Sequence, residues 1–438
     1  MNIYSYEEAF GAWDKTTRAM REAIGNWFSL YYRQKETKEA DPCQRVAYAI
    51  VSKLTKTVFG EYNATAPEAF GKKVIAAMDK TRKEAVQLAM IGGECYLKPY
   101  PEGEGFGFTL IPRNRILIFA RNAAGMPTDV GTLEKTTLGR HYYTLLERRR
   151  LDGGELVLEN RLYRSLNPDT LGSRVSLSSH PDYAALTESG RLPLHSVGLV
   201  QMKTPMANCV DGSREGVSVY AAAAGLIDNI DKNEAQLCGE FDRGQSRIMV
   251  SSDLLDGEQG LTGNLFVGLD EAAEQVGITI FSPALRQESY LARKQEYLRN
   301  VESVVGLKRG MLSDANMEDR TATEIASSAG DYNLTVMDFQ DMWQEALGQG
   351  IGLCAQLSRI YSKTPVPEDL SFCVDWGNGV LYDEDKTWES YRQMVAEGLL
   401  KPEIALGWRF QMPADTPEEQ EKIRDKLMPQ AVPAGTSE

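Results

Sequence analysis

Histidine is nearly missing from this chain: three in 438 residues, at His141, His180 and His195. None has a second histidine or a cysteine at metal-ligand spacing, so neither a zinc site nor an imidazole-assisted nucleophile has its constellation. The six cysteines, Cys43, Cys95, Cys209, Cys238, Cys354 and Cys373, include no C-x-x-C pair. That pattern excludes a paired-ligand structural zinc and a disulfide framework, and predicts reduced thiols, some of them buried. Long apolar runs are absent too. The longest, Val219–Ile227, falls far short of the ~20 residues that a membrane-spanning helix needs. Residues 1–8 lack the basic and apolar regions of a signal peptide, and a cytosolic product is expected. There is no surplus of positive charge: 48 Lys and Arg stand against 62 Asp and Glu, a net charge of −14. Such a chain does not hold nucleic acid by neutralising phosphates. It is compatible with one past which DNA moves without sticking.

Catalytic signatures are also wanting. Gly71-Lys72-Lys73 lacks the upstream glycine and the Ser or Thr of a phosphate-binding loop. Gly103-Glu-Gly-Phe-Gly107 lies between apolar runs, where a hairpin turn explains it better than a dinucleotide fingerprint. Asp228, Asp231 and Glu234 share what reads as the polar side of an amphipathic helix, where solvation accounts for them. An uncharacterised cytosolic enzyme using that acidic face for a metal is the competing reading. The sequence predicts no catalytic residue, no metal and no cofactor.

What is present reads as an α+β chain long enough for several structural regions. Phe10, Trp13, Met20, Ile24, Trp27 and Tyr31 recur at helical steps, predicting one or two helices over 4–33. Asp41-Pro42 predicts a helix start running to about 59, and another helix covers 67–90 before Gly92-Gly93. Strand patterns follow at 94–100, 107–112 and 115–119, then a hairpin, 141–151 and 155–165, turning at Asp152-Gly-Gly154. Its flank holds Arg148, Arg149 and Arg150, the densest basic cluster in the chain and a candidate contact for DNA or a partner. Residues 166–193 read as a surface excursion, and 195–202 as a strand.

A helix is then predicted through about Phe241, with Val219, Ala223, Ile227, Ile230, Leu237 and Phe241 on one stripe. After a short strand at 247–251 and a mixed segment to 284, a helix spans 286–305. Tyr290, Tyr297 and Val304, with Leu291, Leu298 and Val305, form its apolar seam, and Tyr290, Leu291 and Leu298 are candidate subunit contacts. Thr321 and Glu324 have capping-box spacing at the start of a helix to about 361. If continuous, that helix is about 60 Å long at 1.5 Å per residue. Its glycines at 348, 350 and 352 predict a kink or a close helix contact. A strand at 370–376 and helices at 383–398, 402–409 and 416–427 complete the pass, the last opening on a second capping box, Thr416-Pro-Glu-Glu419.

A single globule seldom needs a 60 Å helix, whereas a radial assembly does. Four stretches carry a resemblance that agrees: Met90–Tyr100 with the strands after it; Asn208–Tyr220 leading to Glu240–Val250; Val305–Ser313 followed by Arg320-Thr-Ala-Thr-Glu324; and Val374–Trp376 followed by Glu397–Leu406. In this order the chain resembles the portal, or head-to-tail connector, proteins of tailed bacteriophages, of the type found in phages and prophages of Gram-positive bacteria. Asp319-Arg320 departs from the family pattern, in which a lysine often precedes the Thr-Ala-Thr-Glu stretch.

The resemblance implies a ring of twelve subunits at a capsid vertex of the virion, assembled in the host cytoplasm, with double-stranded DNA passing through its axis. It implies a separate terminase motor, and scaffold, major capsid and head–tail adaptor proteins as partners. Mapped onto the chain, it implies a wing at 1–210, a first stem helix at 211–244 and a clip at 245–284. A second stem helix at 285–305, a tunnel loop at 306–320, a long wing helix at 321–364 and a crown at 365–438 would follow. Lys308 and Arg309 would face the channel. In the other reading, two cations after a helix end simply complement its dipole. A structural ring that never touches DNA is the remaining alternative.

Overall fold

The computed structural model describes residues 3–32, 41–244, 247–251, 266–269, 279–281, 284–314, 322–361, 364–377, 384–410, 412–414 and 416–428. Helices account for 48% of it and strands for 22%, an α+β composition. The described residues fall into two compact units, one built from 1–59 and 64–374, the other from 60–63 and 375–438.

The first unit opens with helices α1 (Ile3–Phe10) and α2 (Arg18–Tyr32), separated by a loop. Trp13 was expected on the apolar stripe, but it sits in that loop and is 68% exposed; the stripe proper is Met20, Ile24, Trp27, Phe28 and Leu30. Helix α3 (Val46–Val58) starts four residues later than a cap at Asp41 predicts. Asp41 instead accepts a bond from the Cys43 N–H, the Gln44 N–H is taken by Asp231, and Arg45 turns the chain through a left-handed φ of 54°. The next helical stretch breaks at Lys80-Thr81, so that after the short strand β1 (Asn63–Thr65) come α4 (Ala69–Asp79) and α5 (Arg82–Gly92).

Strands β2 (Glu94–Glu102) and β3 (Gly105–Pro112) make the expected hairpin at Gly103 and pair with β10 (Val200–Lys203) in a three-stranded antiparallel sheet. Leu97 lies opposite both Leu110 and Val200. The larger sheet has the order β4 (Ile116–Arg121), β5 (Pro127–Leu138), β6 (His141–Asp152), β7 (Glu155–Ser165), β8 (Ser173–Val175), with β9 (Ser189–Leu192) also on β7. Alternation in β4 divides the core between two faces. Leu117 and Phe119 pack with Leu133, Leu146 and the α1 residues Tyr6 and Phe10. Ile116 and Ile118 pack with Val130, Val197, Leu199 and with Tyr96 of the smaller sheet. The 166–193 segment is more than a surface excursion: Leu171 joins the first cluster, and Leu177 and Tyr183 close a third around Tyr143, Leu145 and Leu162.

Helix α6 (Ala224–Arg243) follows a tight segment in which Val217, Val219 and Tyr220 are buried. Its stripe ends at Leu237, because Phe241 is 42% exposed. Beyond it a small sheet sets β11 (Arg247–Ser251) between a parallel β12 (Phe266–Leu269) and an antiparallel β13 (Thr279–Phe281). Helix α7 (Gln287–Val305) then returns along α6. Helix α8 (Ala322–Tyr361) is one helix of 40 residues, about 60 Å long.

From Tyr332 onward α8 is anchored in the core. Tyr332 and Thr57 share a hydroxyl bond of 2.6 Å, Trp343 meets Phe59 edge-on, and Gln349 accepts from the Gln201 N–H. Of the glycines near 350, Gly350 serves a close helix contact, since a side chain there would collide with Met78 of α4, whereas one on Gly352 would meet open space.

The second unit contains α9 (Glu384–Ala396), α10 (Pro402–Arg409) and α11 (Pro417–Leu427), after the strand β14 (Cys373–Asp375) at the junction. The expected capping box at Thr416 is complete, with the Glu419 N–H donating to Thr416 Oγ1 at 3.3 Å and the Thr416 N–H to Glu419 Oε2 at 3.0 Å. Arg424 of α11 ties back to the carboxylate of Glu403 in α10, and Ile423 and Ala405 are buried.

Candidate functional site

The helix pair α6 and α7 carries the loop that holds Lys308 and Arg309. Three polar ties fix their relation: Asn233 donates to the Tyr290 carbonyl at 3.0 Å, Lys294 pairs with Glu234 at 3.0 Å, and Arg286 clasps Glu240. Glu240, near the end of α6, meets Arg286 at the start of α7, while Asn233 and Glu234, earlier on α6, meet Tyr290 and Lys294 further along α7, so the helices run antiparallel. At the far end the Arg286 guanidinium and N–H both bond the Glu240 carboxylate, and these hydrogen bonds lower its pKa to about 2. The seam of α7 divides. Leu298, Val301 and Val305 are buried within the subunit, Tyr290 and Tyr297 are half-buried, and Leu291 is 44% exposed. Of the three candidate subunit contacts, Leu298 is therefore occupied inside the subunit and Leu291 is open.

The loop after α7 is ordered by hydrogen bonds. The Met311 N–H donates to the Lys308 carbonyl at 3.2 Å, and Gly310 has a φ of 90°. Those are the marks of a type II turn, which needs positive φ at its third residue and so favours glycine. Lys308 and Arg309 are the first two residues of that turn, and both are exposed. Thr321 and the side chain of Glu324 lie outside the described residues.

The basic cluster of β6 is placed differently from its expected role as a surface contact. Arg148 makes two bonds to Asp129, at 3.0 and 2.7 Å, and donates to the Phe10 carbonyl. Arg149 is buried, bonded to Glu147 at 2.6 Å and to the carbonyls of Val197 and Gly198. Burial alone would raise the Glu147 pKa, but Arg149 and Lys98 outweigh it and bring it down to about 2. Only Arg150 keeps a partly exposed guanidinium, loosely paired with Asp152 at 3.9 Å. Strand alternation alone does not distinguish these three, because Asp129 reaches Arg148, and the Val197 and Gly198 carbonyls reach Arg149, only through the fold.

The acidic trio of α6 also departs from the solvated face expected of it. Asp231 is buried and accepts from the Gln44 N–H at 2.9 Å, while Glu234 is neutralised by Lys294. No group of three metal-ligating side chains occurs among the described residues. His180 is buried against Tyr143 and Tyr183, and His195 bonds the Gly154 carbonyl. No helix among the described residues is long and apolar enough to cross a membrane.

Sequence reasoning missed a buried charged knot that joins two of the four motif stretches. Glu94, fully buried, accepts from the Tyr96 hydroxyl at 2.6 Å and the Gly216 N–H at 3.1 Å, with Arg113 at 3.6 Å and Arg121 at 3.4 Å. Arg113, 2% exposed, also bonds Glu215 at 3.0 Å, Thr16 at 2.7 Å and the Ile116 carbonyl. Desolvation would raise the Glu94 pKa; the two arginines and the hydrogen bonds hold it below its usual value. Next to the knot, Gly93 and Gly216 meet backbone to backbone, so that a methyl on either would strike the other's carbonyl. Thr204 and Ser218 hydroxyls bond the carbonyls left over at the end of α5, those of Gly93 and Met90. Gly216 and Glu215 of the 208–220 stretch are thus the structural counterpart of Gly93-Glu94.

The profile of one family, described as phage portal protein, SPP1 Gp6-like, matches residues 76–428. The chain belongs to the phage portal protein family. All four motif stretches lie wholly within the matched span, and so does the helix pair with its loop; the fourth stretch, at 374–406, belongs mostly to the second unit. A portal is a structural component of the phage capsid, and the family is not one of enzymes. No curated protein matches the chain.

Proposed function

We propose that twelve copies of this chain assemble into the ring through which double-stranded DNA is packaged and ejected at a capsid vertex. On this reading 1–210 is the wing, 211–244 and 285–305 the stem, 245–284 the clip, 306–320 the tunnel loop, 321–364 the long wing helix and 365–438 the crown. A terminase motor, scaffold, major capsid and head–tail adaptor proteins are its partners. The observation that supports the DNA role most directly is the turn at 308–311, which presents Lys308 and Arg309 from a chain that is otherwise strongly acidic.

Twelve chains of −14 sum to about −168, a wall that repels DNA overall. At physiological salt such charges are screened beyond ~8 Å, so only side chains in near contact act on a phosphate. A thin belt of cations would then touch the duplex without trapping it, since each neutralised phosphate adds salt-dependent affinity. Arg150 remains a candidate surface contact, whereas Arg148 and Arg149 are engaged within the subunit.

The test is the native mass of the purified protein with negative-stain images of the same sample. A mass of about 584 kDa, twelve times 48.7 kDa, with annular particles is the expected result. A protein that stays monomeric even with scaffold and capsid protein present would end the proposal. Given rings, Lys308→Ala with Arg309→Ala is expected to leave the mass unchanged and alter the retention of packaged DNA.

A further inference from the structure

The turn that carries Lys308 and Arg309 is held by one buried carboxylate. Glu302 lies in the last turn of α7 and is 1% exposed. Its Oε1 accepts from the N–H groups of Gly310, Leu312 and Ser313 at 3.1, 2.5 and 2.8 Å. Its Oε2 accepts from the Gly310 N–H at 3.1 Å and from Ser313 Oγ at 2.8 Å. The Glu302 carbonyl takes the Leu307 N–H at 2.8 Å, so the residue receives the loop at both its side chain and its backbone. Successive N–H groups folded around an anion form a nest, and bonds from amides to an ionised acceptor are stronger than neutral ones. On the other side Gly306 abuts Thr335 of α8, leaving no room there for a side chain.

We infer that Glu302 is the positioning residue of this loop. It makes 307–313 a rigid lobe on the end of α7, so that Lys308 and Arg309 move with that helix and not independently of it. The inference deepens the channel reading proposed above and rests on it for its consequence, though not for its geometry. A rotation of α7 in any subunit would be carried to its two cations through this carboxylate, which grips the middle of the loop, whereas a loop tethered only at its ends, by the Leu307 N–H on the Glu302 carbonyl and the Asp314 N–H on Gln295, would absorb the motion.

The experiment is hydrogen exchange on the assembled full-length protein, comparing wild type with Glu302→Gln and Ser313→Ala. Glutamine keeps the shape but turns an NH2 group toward the loop's own donors. The amides of Gly310, Leu312 and Ser313 are expected to exchange at least about tenfold faster in Glu302→Gln, with the native mass unchanged. Ser313→Ala removes one bond only and is expected to give a smaller acceleration at the same amides. It keeps the test decisive if Glu302→Gln does not fold. Wild-type exchange rates at these amides in the folded variants would overturn the inference. Packaged-DNA retention separates the two readings. Faster exchange with unaltered retention would uphold the latch and refute the channel role of Lys308 and Arg309.

Discussion

Replacing Arg113 with leucine tests whether the buried charged knot stabilises the first unit. In the variant the Ile116 carbonyl and the Thr16 hydroxyl lose the guanidinium, and Glu215 keeps the Thr16 hydroxyl at 3.2 Å and Arg121 at 3.8 Å. Glu94 keeps the Tyr96 hydroxyl, the Gly216 N–H and Arg121 at 3.4 Å. Removing one member of a buried ion pair costs 3–5 kcal/mol in general, because the remaining charge stays desolvated. The residual partners here place the expectation at the lower end, about 3 kcal/mol. That is roughly a hundredfold in an opening equilibrium. Hydrogen exchange of the β2 amides, which sit between β3 and β10, reads that equilibrium directly. The expected outcome is roughly hundredfold faster exchange in Arg113→Leu. Arg150→Leu serves as the control: its pair with Asp152 is long and half-exposed, and the expected change is under about 0.5 kcal/mol. If Arg113→Leu exchanges at the wild-type rate, the reasoning is wrong. The knot would then be an accident of packing whose desolvation cost cancels its attraction.

Glu147 has a folded pKa of about 2 against an ordinary value of 4.5. Its contribution, on the order of 3 kcal/mol, is therefore full above pH 4.5 and lost as the pH falls toward 2. Glu147→Gln is expected to flatten the acid limb of a stability-versus-pH titration in that window, and an unchanged slope would count against the assignment. Gly216→Ala places a methyl against the Gly93 carbonyl in a contact with no room to shift. It is expected to abolish soluble expression, and a soluble variant with wild-type melting would refute the close approach. Thr416→Ala removes the side-chain half of a complete capping box and is expected to cost about 1 kcal/mol. By hydrogen exchange the loss should be confined to the second unit, which contains the box, and leave the β2 amides untouched.

Elements with local causes were legible in the order of residues. The helix at 402–409 and the box at 416–419 follow from proline at a first helical position and a threonine three residues before a glutamate, interactions that close within one turn. The hairpin at 152–154 and the end of α5 at Gly93 follow from glycines at positive φ. The acidic balance, the missing catalytic constellations and the 40-residue helix were also there to be read, and with four ordered motifs they led to the portal family.

Features with distant causes were not legible. Where α3 begins depends on Asp231, 187 residues away, taking the Gln44 N–H. Whether Arg148 and Arg149 face water or the core depends on Asp129, Phe10 and Val197, which only the closed sheet brings together. Gly93 and Gly216 are ordinary turn glycines until the fold sets one backbone against the other. Glu302 is the instructive case, because its partners lie only eight to eleven residues ahead. It reads as one more acid on a helix surface until the loop folds back and buries it. Residue order by itself determined what each segment can do within a few residues, because capping, turns and periodicity are short-range. Tertiary structure decided which charges are spent internally and which are left to act, because a charge's surroundings are set by whatever the fold brings within a few ångströms of it.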